Sequence, residues 1–310
     1  MSIKRMGVIA IGSNSVRMLT ANLDAALSQP VRGREETALF LSLDDKKRFS
    51  EAGMDRTARA VSKLHYEARQ AGAQEIRLIA TSAMRDAHNR TELDFYIAAL
   101  APILVNRIIS GDEEAQLSFL GACCVPPQEG LQGMIDIGGG STEVAVGDCL
   151  HGLRYARSMQ LGASRLLQRQ PVDGEQGLAA ARAIARQVVT DGLREGVPAP
   201  RGWTLVGGTG NTLANMMVKR PYDKLAPEDH PLTLEDVQGW LTRLAAMTPE
   251  ERARLAGMPP TRVHILPTGL VILREVMAQL GIGQLRVTQR TNLDGYLYRL
   301  VAMPQEDHDA

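Results

Sequence analysis

The sequence predicts an α/β protein made of two similar domains, and three observations predict it. Apolar, β-branched runs that end in glycine alternate with segments whose apolar residues recur at helical spacing. VIAIGSNSVR (Val8–Arg17) and MIDIGGGSTE (Met134–Glu143) align without a gap, pairing Ile9 with Ile135, Ile11 with Ile137, Gly12 with Gly138 and Ser15 with Ser141. The length of 310 residues accommodates two domains. Each copy of the repeat is expected to open one domain with a strand–turn–strand hairpin, the two domains facing each other across a cleft of the kind that binds small ligands.

The elements follow in order. Met6 to Ile11 is an apolar strand, and Val16 to Leu23 returns after the Gly-Ser-Asn-Ser turn. Ser50 to Ala71 is a helix, with Met54, Ala58, Val61, Leu64 and Ala68 on one face and Gly72 as its stop. Glu75 to Ala80 is a strand, Arg90 to Ala101 a helix, Val105 to Ile109 a strand, Asp112 to Ala122 a helix, and Val125 to Gly133 a connector. The pattern then restarts. Met134 to Ile137, Thr142 to Val146 and Gly152 to Met159 are strands, and Glu175 to Arg194 is a long helix. Thr204 to Val206 is a strand leading into a helix through Val218, and Arg220 to Pro231 is a loop insertion. Helices over Thr233 to Met247, Pro249 to Ala256 and Pro267 to Leu280 precede a strand at Gln284 to Thr288 and a last helix at Leu293 to Met303. The polar tail after it reads as frayed.

Composition excludes several classes. Thirty-five Lys and Arg balance 35 Asp and Glu, for a formal net charge of zero. A general nucleic-acid binder would carry excess positive charge, so nucleic acid is not an expected partner. With 44% hydrophobic and 23% charged residues the chain can bury a core. No run of about 18 apolar residues suggests a membrane span, and the N-terminus shows no signal-peptide pattern, so the expected location is cytoplasmic. Three cysteines, Cys123, Cys124 and Cys149, do not make a disulfide scaffold and read as reduced thiols. The histidines show no metal-ligand spacing.

The strongest motif is Asp136-Ile137-Gly138-Gly139-Gly140-Ser141-Thr142-Glu143. Three glycines after an apolar strand let backbone N–H groups approach an anion, and Ser141 and Thr142 add hydroxyl donors. Asp136 and Glu143 suit a hard cation such as Mg²⁺, which takes carboxylates, waters and substrate phosphates. Ser13, Asn14 and Ser15 form the equivalent loop of the first repeat. Gly207-Gly208-Thr209-Gly210 lies at a strand–helix turn and reads either as a phosphate loop on a helix N-terminus or as a structural turn. Arg85, after the strand ending at Ala80, suits bidentate phosphate binding or a surface position. Asp112, Glu113 and Glu114 open a helix, and their residue types alone read as capping.

IAIGSNSVR, ATSAMR ending at Arg85, IISGDEEAQL, MIDIGGGSTEVAVG, MQLGASRL, LVGGTGNTLA and ILPTGLVIL occur in an order that resembles the exopolyphosphatase/guanosine pentaphosphate phosphohydrolase (Ppx/GppA) family over nearly the whole chain. The resemblance implies an actin-like fold, with residues 1–124 and 293–310 in one domain and 125–292 in the other. It implies hydrolysis of the terminal phosphate of polyphosphate or guanosine pentaphosphate, with Glu114 as general base. Asp136 and Glu143 would hold Mg²⁺, and Arg85 and the three loops would bind phosphate. A homodimer is the implied assembly.

Two departures bear on activity. The family usually carries Asp where this chain has Ala10, and the repeat shows the same gap, since Ala10 stands opposite Asp136. Near the C-terminus the family's Asp-Gly and Arg-Glu-Gly are replaced by Thr288-Gln-Arg-Thr-Asn-Leu-Asp-Gly295. The second reading is therefore a catalytically weakened regulatory protein that binds a guanosine alarmone or other nucleotide; a kinase is a third. Longer relatives add C-terminal helical domains. The two-domain length and zero net charge lead us to expect short polyphosphate or a nucleotide, gripped locally.

Overall fold

A computed structural model of the chain describes residues 4–194, 196–222, 224 and 231–302. The chain forms two units, residues 1–128 with 290–310, and residues 129–289. The tail after Met303 and most of the 220–231 insertion lie outside the described residues.

In unit one, strands β1 (Arg5–Ile11) and β2 (Ser15–Asn22) form the expected hairpin, with Ala10 opposite Arg17 and Ile11 opposite Val16. β3 (Val31–Glu36) adds an edge strand that the sequence reading missed, because VRGREE is polar and largely exposed. Helix α1 (Glu51–Gln70) starts at the Ser50 cap, whose side chain accepts from Gly53 N–H. It lays Met54, Ala58, Val61, Leu64 and Ala68 on the sheet. β4 (Glu75–Ala80) runs parallel to β1 and leads into a short helix α2 (Ser82–Asp86), which also went unread. α3 (Arg90–Leu100) follows, then β5, only Arg107–Ile108, and α4 (Gly111–Cys124). The sheet order is β3-β2-β1-β4-β5. The C-terminal helix, Asn292–Ala302, packs along α4 in the same unit.

Unit two opens with β6 (Gln132–Ile137), β7 (Thr142–Asp148) and β8 (Gly152–Met159), followed by α5 (Ala163–Arg169), α6 (Gly174–Gly192), β9 (Trp203–Val206) and α7 (Gly208–Met217). Next come β10 (Leu232–Thr233), α8 (Leu234–Ala245), α9 (Pro249–Ala253), α10 (Ile265–Gln279) and β11 (Gln284–Val287). The short α5 was not anticipated. The sheet order is β10-β11-β9-β6-β7-β8. Both units therefore carry an antiparallel triplet, β1-β2-β3 or β6-β7-β8, whose first strand continues into parallel neighbours. This duplicated α/β unit is the actin-like fold.

Candidate active site

The two hairpins repeat each other in geometry as well as in sequence. Gly12 N–H donates to the Ser15 carbonyl at 3.0 Å, and Gly138 N–H donates to the Ser141 carbonyl at 3.0 Å. A Cβ on Gly12 would lie 2.9 Å from the Ser15 oxygen, which explains why this turn takes glycine.

In unit two the glycine loop is fixed through its carbonyls. Ala163 N–H donates to the Gly138 carbonyl at 2.9 Å, and Ser164 and Arg165 N–H donate to the Gly139 carbonyl at 2.9 and 3.0 Å. Arg165 Nε donates to the Gly140 carbonyl at 2.6 Å. In a planar trans peptide the N–H points opposite to the carbonyl of the preceding residue. The amides of Gly139, Gly140 and Ser141 therefore point away from α5, a run of donors suited to an anion. Gly162 must lack a side chain here, because a Cβ would overlap the Gly139 backbone.

Asp136 and Glu143 face each other across β6 and β7. Directly opposed antiparallel residues project to the same face, and both carboxylates are buried, Glu143 accepting from Ser158 Oγ at 2.7 Å. Two neighbouring buried anions favour a cation between them. Among the described residues no group of three or more His, Cys, Asp or Glu is set to hold a metal. Two carboxylates fit a Mg²⁺ that keeps waters and phosphate oxygens in its other positions.

Thr142 corrects one expectation. Strand alternation turns it to the face opposite Ser141 and Glu143, and its buried hydroxyl donates to the Leu161 carbonyl at 2.5 Å. That hydroxyl serves the fold and is not a phosphate donor.

The 207–210 loop joins the same unit-two site. Gly207 has φ +98°, and a Cβ there would lie 2.9 Å from the Ile137 carbonyl and 3.2 Å from Asp136 Oδ1. Gly208, Thr209 and Gly210 then form the first turn of α7 beside the Asp136 carboxylate, where free helix N–H groups favour an anion. The buried Arg262 guanidinium lies against Gly208, so closely that a Cβ would overlap it. Sequence reasoning missed Arg165 and Arg262, because each lies against a loop far away in the chain.

Unit one holds the other predicted residues. Phe40 N–H donates to the Ser13 carbonyl at 2.8 Å, and Thr37 and Ala38 N–H donate to the Asn14 carbonyl at 2.9 Å each. The amides of Asn14 and Ser15 are thereby turned away from the 37–40 segment, as in the second repeat. Arg85, on α2, and Glu114, in the first turn of α4, form an ion pair. Arg85 Nη1 donates to Glu114 Oε2 at 2.9 Å and to the Ile109 carbonyl at 2.8 Å. Glu114 is 8% exposed. Helix capping falls to Ser110, whose Oγ accepts from Glu113 N–H at 3.1 Å. The two readings of the acidic helix start thus separate. Ser110 caps the helix, and Glu114 is paired with a guanidinium.

An actin-like fold with a glycine-rich anion loop, a carboxylate pair and a part-buried Arg–Glu pair defines a phosphoryl-handling protein. The family model described as "Ppx/GppA phosphatase family" matches residues 24–303. Exopolyphosphatase 2 of Mycobacterium tuberculosis is 31% identical over 95% of this chain and 98% of its own length. A guanosine-5'-triphosphate,3'-diphosphate pyrophosphatase of Aeromonas hydrophila is 28% identical over 97% of this chain, which spans 60% of that relative. Among solved structures, an exopolyphosphatase-like protein superposes with a TM-score of 0.88 at 26% identity, covering 96% of this chain and 98% of the other. An exopolyphosphatase from Cytophaga hutchinsonii superposes with a TM-score of 0.82 at 25% identity over the same shares of the two chains. The chain belongs to the Ppx/GppA phosphatase family.

Proposed function

We propose that the protein hydrolyses the terminal phosphoanhydride bond of inorganic polyphosphate, in short chains, or of guanosine pentaphosphate. The observation that carries the reading is the part-buried Arg85–Glu114 pair, which sets the buried carboxylate of Glu114 beside a cation. The names of the relatives above point to the same two substrates.

In this reading Glu114 orients a water and takes its proton as the water oxygen bonds to the terminal phosphorus. The P–O bond to the rest of the chain breaks, releasing orthophosphate and a product one phosphate shorter. Phosphoryl transfer depends mainly on positioning and charge neutralisation. The amides of Gly139, Gly140 and Ser141, the first turn of α7, Ser13, Asn14, Ser15 and Arg85 supply these. Asp136 and Glu143 would hold Mg²⁺, whose chemistry when bound is to neutralise phosphate oxygens. The same reading places the enzyme in the cytoplasm as a homodimer, checked by cell fractionation and sedimentation.

Phosphate release with Mg²⁺ from polyphosphates of several lengths, guanosine pentaphosphate and nucleoside triphosphates tests the activity and ranks the substrates. No release from any of them contradicts it and favours the regulatory reading, which rests on Ala10, fully buried where the repeat has Asp136. If the lost carboxylate limits metal binding, Ala10→Asp raises activity or metal affinity. No change in either contradicts that account.

A further inference from the structure

Three guanidiniums meet one carboxylate in unit two, where α6 and α8 pack against α10. Glu275, on α10, is 3% exposed. Arg182 Nε donates to its Oε1 at 2.9 Å, Arg186 Nε to its Oε2 at 3.1 Å, and the adjacent Arg274 Nη1 to its Oε1 at 2.9 Å. Burial pushes the Glu275 carboxyl up, but the hydrogen bonds from Arg182 and Arg186 outweigh it and hold the pKa below the ordinary value of 4.5. The carboxylate is ionised at neutral pH, so the group carries three positive charges against one negative.

Tying α6 to α10 needs one ion pair, and the cluster has two arginines more than that. Arg182 and Arg186 stand four apart on α6, a spacing at which like charges repel. Among the described residues no other acid pairs with these three arginines. The Arg182 and Arg274 side chains are half-buried, where charge is screened less than in open solvent.

The donors left over share one character. Arg182 and Arg186 use only Nε on Glu275, so Nη1 and Nη2 of both have no hydrogen-bond partner among the described residues. Arg274 uses Nε on Gln238 Oε1 at 3.2 Å and Nη1 on Glu275, which leaves Nη2. Each side chain is already tethered, so ordering these nitrogens around a ligand costs little further entropy. Planar guanidinium forks with surplus positive charge fit the oxygens of a phosphate group.

The cluster stands apart from the carboxylate pair and glycine loops. Helix α10 touches the 207–210 loop at Gly269, where a Cβ would overlap Thr209. Glu275 is six residues further on, about 9 Å along the helix axis and about 240° around it. It therefore occupies a different face of α10.

We propose that Arg182, Arg186 and Arg274 form a second anion site, which takes a phosphate group, either free or at the end of a phosphate chain. The site stands on these residues and does not depend on the hydrolase reading.

The test is calorimetry on the full chain with divalent metal chelated, using orthophosphate in one arm and tripolyphosphate in the other. The parent binds, and Arg182→Gln/Arg186→Gln weakens that binding about tenfold or more, the size expected for losing charge-assisted hydrogen bonds. Glu275→Gln tightens it, because the guanidiniums no longer share their charge with a carboxylate. Arg85→Ala leaves it at the parental affinity. Equal affinities in the two arms identify free phosphate as the ligand; tighter tripolyphosphate identifies a phosphate chain. Both cluster variants disturb the α6–α10 contact, so a merely structural cluster moves binding in the same direction in each, and that result overturns the assignment. No binding of either anion by the parent overturns it as well, as does binding that the double variant leaves unchanged.

Discussion

Arg85 Nη1 lies 2.9 Å from Glu114 Oε2 and 2.8 Å from the Ile109 carbonyl oxygen, so one guanidinium nitrogen ties the carboxylate to the backbone just ahead of its helix. The pair joins α2 to the start of α4 and fixes where the carboxylate stands.

Removing the guanidinium releases Glu114 from that position. Arg85→Ala is expected to lower kcat/KM by about a hundredfold, in the range that mutagenesis finds for a well-placed charge-stabilising donor. Arg85→Lys recovers part of it, since a single ammonium can pair with Glu114 but cannot also present a planar fork. Steady-state phosphate release measures both, and equal rates for Ala and Lys variants would contradict a role for the cation.

Arg165 acts on the glycine loop through its backbone. Without the 2.6 Å bond from Arg165 Nε, the Gly140 carbonyl is free to rotate, and the Ser141 amide turns with it. Arg165→Ala is expected to raise KM about tenfold with a smaller change in kcat, the loss of one charged hydrogen bond's worth of ordering. An unchanged KM would show that the main-chain bonds from Ala163 and Ser164 are sufficient.

The C-terminal helix crosses α4 at two glycines. A Cβ on Gly295 would overlap the Leu117 carbonyl and stand 3.0 Å from Gly121 N, and one on Gly121 would overlap the Thr291 carbonyl. Gly295→Ala is expected to cost about 1–3 kcal/mol, the usual range for overpacking. Gly239→Ala is the contrast: it lies exposed within α8 with open space around its Cβ position, and the change should stabilise by about 0.5–1 kcal/mol. Urea unfolding of the two variants should shift in opposite directions.

These glycines show what sequence reading can and cannot reach. The β1–β2 and β6–β7 hairpins were legible because apolar alternation and a Gly-Ser turn recur 126 residues apart. Helix α1 was legible from its apolar face and the Gly72 stop. β3 was not, since an exposed edge strand of Arg, Glu and Gly has no apolar pattern to read. Glu114 looked like a capping residue until Ser110 took that task and Arg85 came within 2.9 Å. Arg165 and Arg262 act across long stretches of chain, and Thr142 was misjudged because composition does not say which face of a strand a hydroxyl occupies.

His65, buried on α1, has its pKa held below the usual histidine value of 6.5, first by burial and then by the nearby charge of Arg69. A base with a lowered folded pKa binds fewer protons folded than unfolded. Stability is therefore retained above 6.5 and lost as pH falls from there towards the folded pKa, by at most about 1.4 kcal/mol per pH unit. His65→Gln should flatten that part of the fall between pH 7 and pH 5, followed by urea midpoints. An identical slope in the variant would assign the acid sensitivity to other groups.

The central claim is that Glu114 serves as general base in Mg²⁺-dependent hydrolysis. Its most direct test compares phosphate release from tripolyphosphate by the parent enzyme and Glu114→Gln, with Mg²⁺ and after chelation, both proteins having been shown to fold and to bind substrate. Loss of a positioned general base typically costs about 10²–10⁴-fold in rate. The account predicts a kcat lowered by that factor in Glu114→Gln with binding retained, and no release by either protein once the metal is removed. A Glu114→Gln enzyme that hydrolyses at the parental rate would contradict it.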